Sequence, residues 1–518
     1  MIHQRIAQSL AEPTKESRPG KGKVFSARSE IVKPLHLILV DGWHPQALIE
    51  ELGNLPALSR IASAGALQLD CVSVFPTVTP VALSSLVTGV GIDGHGVGGI
   101  LWYSRREDRY IHYWPQLHFP GSLGRVCRDI LDLGKNHVHC PTLFQLLQEG
   151  GIDSASINFP IFKGNFVHPT RLCWAASRLI GLPRDLAFSG PRWMTYGTFL
   201  RPPGFSPLAY KMGISDLCAA AYTAAIVKKH HPRFLLTYFP EHDLRSHHHG
   251  PMDCAFSLRS IDRQIARIAE AYGGIDQAVR KAKWLLVGDH SQTPIGGFKD
   301  YGVDVFKAFR NSKELSSLRL APLYGGGLER GLYDLALAPN DRSCLVYLPR
   351  GNRSLLFPLL YVFSRWESVD QLFWRDDEWC YCRKDEGQCR WRSGGGLWDR
   401  YKQSWEVEGD LSVLDVWRSE DRIHYNGYPD AFRRVEELLK ASGAPDLVLS
   451  ARPGYEFNTG FTMGKGNHGS LGAGDSLVPL LTCGIEPPKD PRLIDLVGLV
   501  LRECDVALPE TMKRRILR

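Results

Sequence analysis

An α/β fold with a mainly parallel central sheet flanked by helices, carrying an inserted α+β region, is predicted by three features of this 518-residue sequence. From Leu35 onward, short apolar runs alternate with amphipathic segments, the pattern of a chain wound strand–helix–strand. Several of the apolar runs stop at an acidic residue or an Asp-His pair. Between them lie long stretches rich in aromatics, proline and glycine that break the rhythm. The length suits one large α/β domain with a sizeable insertion, or two domains.

Leu35–Val40 reads as a buried strand ending at Asp41, and residues 56–64 as a helix closed by Gly65. Residues 234–238 form another apolar run, leading through Pro240 into the polar stretch 241–250. Leu258, Ile261, Ile265, Ile268, Ala269 and Tyr272 recur at helical spacing over 256–272. Residues 284–287 are a strand that stops at Gly288-Asp289-His290. Residues about 103–140 and 165–230 are expected to be loops or a cap over the site, and 305–455 an inserted α+β region. Residues 456–518 would then complete a core begun at 35–304. Within the insertion, 378–391 alternates about Asp385-Glu386-Gly387 as a β-hairpin does. Its Cys380, Cys382 and Cys389 match no strong zinc spacing and read as ordinary strand positions. No internal repeat is evident.

The net charge of +7 is concentrated at the N-terminus. Residues 1–34 hold seven Lys or Arg against three Glu, or +4, leaving +3 for the remainder. This basic segment reads as a solvated, disordered leader rather than a nucleic-acid-binding element. No basic-then-apolar signal opens the sequence, and the longest apolar candidate, 355–363, is too short for a span and contains Pro358. Twelve cysteines over this length fit free thiols in a reducing compartment, so a cytoplasmic location without a membrane span is expected.

The segment 75–89, FPTVTPVALSSLVTG, carries the first chemical signal. Proline is favoured at a first helical position, so a helix from Pro80 to Thr88 would put Thr79 at its N-cap. Free backbone N–H groups there suit a phosphate. Asp243 and His247, four residues apart, can serve one metal; Asp289-His290 forms a second pair directly after a strand. Asp41 follows the first strand, and His468 sits between Asn467 and Gly469. Ligands of doubly wound sheets bind beyond the carboxyl ends of the strands, where Asp41, Asp243 and Asp289 all fall.

These segments resemble the nucleotide pyrophosphatase/phosphodiesterase branch of the alkaline phosphatase superfamily. The matching stretches are 37–42 (LILVDG), 75–89, Gly94-His95-Gly96-Val97, 238–251 (YFPEHDLRSHHHGP), 287–290 (VGDH) and 467–470 (NHGS), in family order. The resemblance implies an alkaline phosphatase-like core and two divalent metal ions, zinc by family habit, with manganese also admitted by Asp/His ligation. One metal would take Asp41, Thr79, Asp289 and His290; the other would take Asp243, His247 and His468. It also implies a structural role for His95, and Thr79 as a nucleophile whose hydroxyl is activated by the metal. Thr77 is the next candidate should Thr79 fail. His248 and His249 read as exposed loop residues.

The sequence departs from the family at the substrate side. Nucleotide-cleaving members usually carry an aromatic directly after the nucleophile and an asparagine two residues on; here those positions are Pro80 and Ala82. Trp43, Trp102 or Tyr103 are candidates for the missing aromatic surface, and Asn158 or Lys465 for the missing phosphate donor. The expected activity is therefore hydrolysis of a phosphodiester or pyrophosphate in a small phosphorylated substrate, through a phospho-threonine. The alternatives are a phosphomonoesterase or phosphonate hydrolase on the same site, and a non-catalytic phosphate-ligand binding protein. A sulfatase is disfavoured because the segment lacks a cysteine, and a mutase because that branch uses serine.

Overall fold

The computed structural model describes residues 32–113, 123–172, 174–197, 200, 213–297, 301–323, 332–462 and 464–510. Residues 1–31 of the basic leader (1–34), and parts of the predicted cap and insertion, lie outside the described residues. The described residues from 33 onward form one compact unit.

The central sheet is built from β1 (Leu35–Val40), β2 (Ala66–Val72), β3 (Ser154–Ile157), β4 (Trp193–Thr195), β5 (Phe234–Phe239), β6 (Lys283–Gly288) and a strand close to the C-terminus, Leu477–Cys483. Its order is β2, Leu477–Cys483, β6, β1, β5, β3, β4. The run from β6 to β4 is parallel throughout, and Leu477–Cys483 lies antiparallel to both of its neighbours. β1 is wholly buried, and its alternate residues feed two cores, as the two-residue period of a strand dictates. Leu35, Leu37 and Leu39 face one core; Ile38 and Val40 face the other.

Helix α1 (Pro56–Ser63) ends one residue before the predicted limit, with Ala64 as its cap. The alternation in the 234–288 region gives α3 (Glu241–His249) after β5 and α4 (Ala255–Ala269) before β6. The stretch 165–230 is not only a cap, contrary to expectation. It contains β4, the edge strand of the central sheet, and a fifteen-residue helix, Asp216–His230, that packs in the second core. The helix escaped the periodicity argument because alanines fill several of its positions, leaving little contrast between its faces.

Nine described strands between residues 336 and 451 form a second sheet. Ala336–Asn340 and Ser343–Tyr347 make an antiparallel hairpin in it with Asp341 and Arg342 at the turn. The predicted hairpin at 378–391 is present as Trp379–Lys384 paired with Gly387–Trp398, and its three cysteines are buried strand residues. The ends of the 305–455 region meet where Gly302–Asp304 pairs in parallel with Glu456–Asn458. The first core continues into this sheet through Phe373, Cys380 and Trp391. Among the described residues no helix is long and apolar enough to cross a membrane.

Candidate active site

Topology alone gathers the first acids. β1 lies between β5 and β6 with Val40 level with both Phe239 and Gly288, so the residues following the three strands emerge side by side. These are Asp41, the α3 segment with Asp243 and His247, and Asp289-His290. Gly42 makes the approach possible. Its φ is +67°, and a Cβ there would lie 2.7 Å from Asp243 Oδ1 and 2.9 Å from Asp243 Cα. Its N–H donates to Asp289 Oδ1 at 3.0 Å.

The threonine helix, α2 (Thr79–Thr88), starts one residue earlier than predicted. Val78, extended at φ −129° and ψ 144°, is the N-cap, since its carbonyl accepts from the Val81 and Ala82 amides. Thr79 is therefore already helical, and its hydroxyl is released from capping. Every residue from Pro80 to Thr88 is buried, while Thr79 is partly exposed. Its Oγ1 stands 3.1 Å from His290 Nε2 and 3.5 Å from Asp41 Oδ1. Thr77 is differently placed: fully buried, its hydroxyl donates to Ser470 O at 2.8 Å and accepts from Gly469 N at 2.9 Å. Both its hydrogen-bonding roles are taken, so it offers no free nucleophile.

His468 arrives from the far end of the chain on the Gly466–Asn467 strand, which pairs with Thr293–Pro294 just after His290. The rings of His290 and His468 stack with centroids 3.7 Å apart. His468 Nε2 lies 3.8 Å from Asp243 Oδ1, and His247 Nε2 lies 3.2 Å from Asp243 Oδ2. All seven predicted side chains thus meet at one end of the sheet. Two groups have potential ligand atoms within 4.8 Å of one another: Asp243, His247 and His468; and Asp41, Asp243 and His290.

The donor chemistry fits divalent metal. Each of the three imidazoles engages a main-chain carbonyl through Nδ1: His290 with Ser291 O at 3.1 Å, His247 with Gly466 O at 2.7 Å, and His468 with Thr77 O at 2.7 Å. An N–H donated there leaves the Nε2 lone pair for a metal. Asp289 Oδ2 is buried without a hydrogen-bond partner. Among the described residues no Lys or Arg forms a salt bridge with Asp41, Asp243 or Asp289, and their ion-pair partners are histidines. Three largely buried carboxylates in one site without an arginine or lysine partner among the described residues are an arrangement that a bound cation would complement.

The three carboxyls differ in their protonation preferences. Burial, then the nearby Asp289 and Asp243, push the Asp41 carboxyl well above the usual range. Burial also raises Asp289. Burial opposes charge on Asp243 as well, yet the His247, His468 and His290 imidazoles outweigh it and hold this carboxyl below the usual range. His247 loses by burial but gains more from Asp243 and is pushed up to about 9. Burial, with His290 alongside, takes His468 well below its ordinary value.

Three supporting residues were not legible in the sequence. The Tyr238 hydroxyl donates to Asp41 Oδ2. Gln292 Nε2 donates to Asp243 Oδ1 at 2.6 Å and to its carbonyl at 3.1 Å. Asp341, at the hairpin turn of the second sheet, brings Oδ2 to 4.0 Å from His468 Nε2. The first two could have been sought beside the metal-site motifs, at the end of one strand and two residues after another pair; Asp341 carries no local signal beyond that of a turn residue.

The predicted substrate contacts fare less well. Trp43 is fully buried in the second core, and a Cβ on Gly288 would meet its Cβ at 3.1 Å. Trp102 and Tyr103 are buried in the first core. None of the three presents a stacking face to a ligand. Asn158 is fully buried and spends its amide on the Gly213 carbonyl and the Gly197 N–H, both at 3.0 Å. Lys465 is exposed beside the site, its N–H donating to the His247 carbonyl at 2.6 Å. His95 bonds Ser85 and the Val97 N–H within the core, while His248 and His249 are exposed.

A mainly parallel sheet with threonine, aspartates and histidines gathered beyond its strand ends is an alkaline phosphatase-like fold. Residues 35–471 match the family model "Type I phosphodiesterase / nucleotide pyrophosphatase", and the chain belongs to that family. Similar solved structures include murine ectonucleotide pyrophosphatase/phosphodiesterase 5, 13% identical with a TM-score of 0.57. The human protein of that name is 13% identical with a TM-score of 0.55. Phosphonoacetate hydrolase from Sinorhizobium meliloti 1021, in complex with phosphonoformate, is 17% identical with a TM-score of 0.53. Each alignment covers 92% of this chain and 96% of the other. At these identities the likeness is one of fold. No curated protein matches the chain by sequence.

Proposed function

We propose that this protein cleaves phosphodiester or pyrophosphate bonds in a small phosphorylated substrate, with Thr79 as the nucleophile and phospho-threonine as the intermediate. The observation that carries the proposal is Thr79 Oγ1, the partly exposed hydroxyl of an otherwise buried helix, 3.1 Å from His290 Nε2 and 3.5 Å from Asp41 Oδ1. Murine ectonucleotide pyrophosphatase/phosphodiesterase 5 adds support, since a threonine-to-alanine variant of that protein, solved in complex with AMP, is inactive.

Asp41, Thr79, Asp289 and His290 would hold one divalent metal, and Asp243, His247 and His468 a second. Bound there, zinc or manganese would lower the pKa of a coordinated hydroxyl or water and offset negative charge on the transferring phosphoryl group. The chain's own residues do the rest. The α2 helix fixes Thr79 Oγ1 towards the acids, and Tyr238 turns Asp41 by bonding its outer oxygen. The main-chain carbonyls hold each imidazole in one tautomer. In the chemical step Thr79 Oγ1 forms a bond to phosphorus as the bond to the leaving oxygen breaks. Water then attacks the phospho-threonine and restores the hydroxyl. Buried free thiols such as Cys71, Cys254 and Cys483 support a reducing, cytoplasmic setting.

Hydrolysis of a phosphonate or phosphomonoester on the same site is the second reading. It is favoured by the burial of Pro80 and Ala82, and of every aromatic side chain predicted to stack on a base. Metal-loaded protein assayed on bis(p-nitrophenyl) phosphate, p-nitrophenyl phosphate and phosphonoacetate separates the readings. The diester is expected to turn over fastest, and Thr79→Ala to lower that rate by at least about a thousandfold. Thr79→Ala activity within tenfold of the wild type would sink the nucleophile assignment, and metal uptake without turnover of any ester would favour a binding protein.

A further inference from the structure

The second metal group is the poorer in charge. Asp41 and Asp289 give the first group two carboxylates, whereas the second has Asp243 and two imidazoles. Facing it is Asp341, whose Oδ2 lies 4.0 Å from His468 Nε2. No described side chain hydrogen-bonds the Asp341 carboxylate, although its backbone carbonyl accepts from Phe457 N at 2.6 Å.

The position is built rather than incidental. Asp341 adopts φ +59° at the turn between Ala336–Asn340 and Ser343–Tyr347. On one side of it, Asn340 Oδ1 accepts from Ile100 N at 2.6 Å and its Nδ2 donates to Leu101 O at 2.7 Å. On the other, Arg342 N donates to the carbonyl of His468 itself at 2.8 Å. The buried Arg342 guanidinium also grips both Asp475 oxygens, at 2.8 and 2.9 Å. The approach is close: a Cβ on Gly469, whose φ is +116°, would lie 2.4 Å from Asn340 O. One turn of the second sheet is thereby fastened to the loop that carries His468, with a carboxylate free of hydrogen bonds directed at the same imidazole.

We propose that Asp341 is a further carboxylate donor of the second metal group, joining Asp243, His247 and His468. The proposal rests on the two-metal reading above. With it, each group commands two carboxylates, matching the charge of one divalent ion.

Substitution can separate a ligand from a structural turn residue. Asparagine and glycine both tolerate a left-handed backbone, so Asp341→Asn and Asp341→Gly keep the turn while removing the carboxylate. Full-length wild type, both variants and His247→Ala would be stripped with chelator and titrated with Zn2+. Metal stoichiometry, affinity by competition, and thermal midpoints with and without Zn2+ would be read. Wild type is expected to bind two ions and His247→Ala to lose one. Both Asp341 variants should bind the weaker ion at least about tenfold less tightly, keep the tighter one, and melt no lower than wild type in chelator. If the wild type binds two ions and either Asp341 variant matches its affinities, Asp341 is no ligand and the two-metal reading stands. A wild type that takes up no divalent ion overturns both.

Discussion

The imidazoles of His290 and His468 stack 3.7 Å apart at an interplanar angle of 18°. One follows β6, in the middle of the central sheet; the other comes after the 305–455 region has been traversed and closed. Their contact, and the pairing of Thr293–Pro294 with Gly466–Asn467 behind it, seals the end of the insertion to the end of the strand. The cluster of Asp243, His247 and His468 therefore depends on the second sheet being in place, whereas Asp41 and Asp289 are delivered by the central sheet alone.

Gly42→Ala should disable the site without replacing any proposed ligand. Its Cβ would lie 2.7 Å from Asp243 Oδ1 and 2.9 Å from the Asp243 backbone, at a φ of +67° that alanine resists. A stability loss of about 1–2 kcal/mol is expected, with metal affinity reduced at least about tenfold. Chelator competition on the purified variant measures this.

The two threonines of 77–79 should respond in opposite ways. Thr79→Ala should leave the thermal midpoint almost unchanged, because Thr79 is partly exposed and its hydroxyl caps nothing. Thr77→Val removes a buried hydroxyl that bonds Ser470 O and Gly469 N, leaving both without that partner. A cost of about 1–3 kcal/mol is expected from such a loss. Denaturant titration of both variants provides the test, and a more destabilised Thr79→Ala would contradict it.

Chelation should destabilise the protein more at pH 8 than at pH 5. In the metal-free protein the Asp41 and Asp289 carboxyls are raised above their unfolded values, by burial first. For an acid raised in this way, stability is full below the unfolded pKa near 4 and is lost as pH climbs through the folded value. Bound metal requires the ionised carboxylates and so gains as pH rises. The gap between melting temperatures with zinc and with chelator, followed from pH 5 to 8, should widen.

Acid sensitivity has a source far from the site. His36 is fully buried in β1, stacked on Trp284 at 4.6 Å and bonded to the Tyr272 hydroxyl at 2.6 Å. Burial draws its pKa down to about 3. The unfolded imidazole takes a proton first as pH falls, so this contribution is complete above about 6.5 and lost between there and 3. The loss is on the order of 5 kcal/mol at most. His36→Phe should flatten the decline of the melting temperature from pH 7 to 4; an unaltered slope would refute this.

Much of the site could be read from the sequence because its acids follow recognisable strands. Asp41 and Asp289 terminate apolar runs that pair directly, and Asp243 with His247 share a helix after the third. The limits were set by packing. Trp43 and Tyr103 looked available because nothing in a linear sequence distinguishes an aromatic beside a motif from one beneath it. Asp341 was invisible because its role depends on Arg342 and Asn340 anchoring a turn against His468, which only the assembled sheets bring together.

The carbonyls of Ser291, Gly466 and Thr77, which orient the three imidazoles, belong to the main chain and survive almost any side-chain replacement at those positions. Point mutation can remove a histidine but cannot easily delete the acceptor that fixes its tautomer. The proton arrangement of this centre is consequently inherited with the path of the backbone, and sequence drift in the surrounding loops is free to reshape what enters without rewriting it.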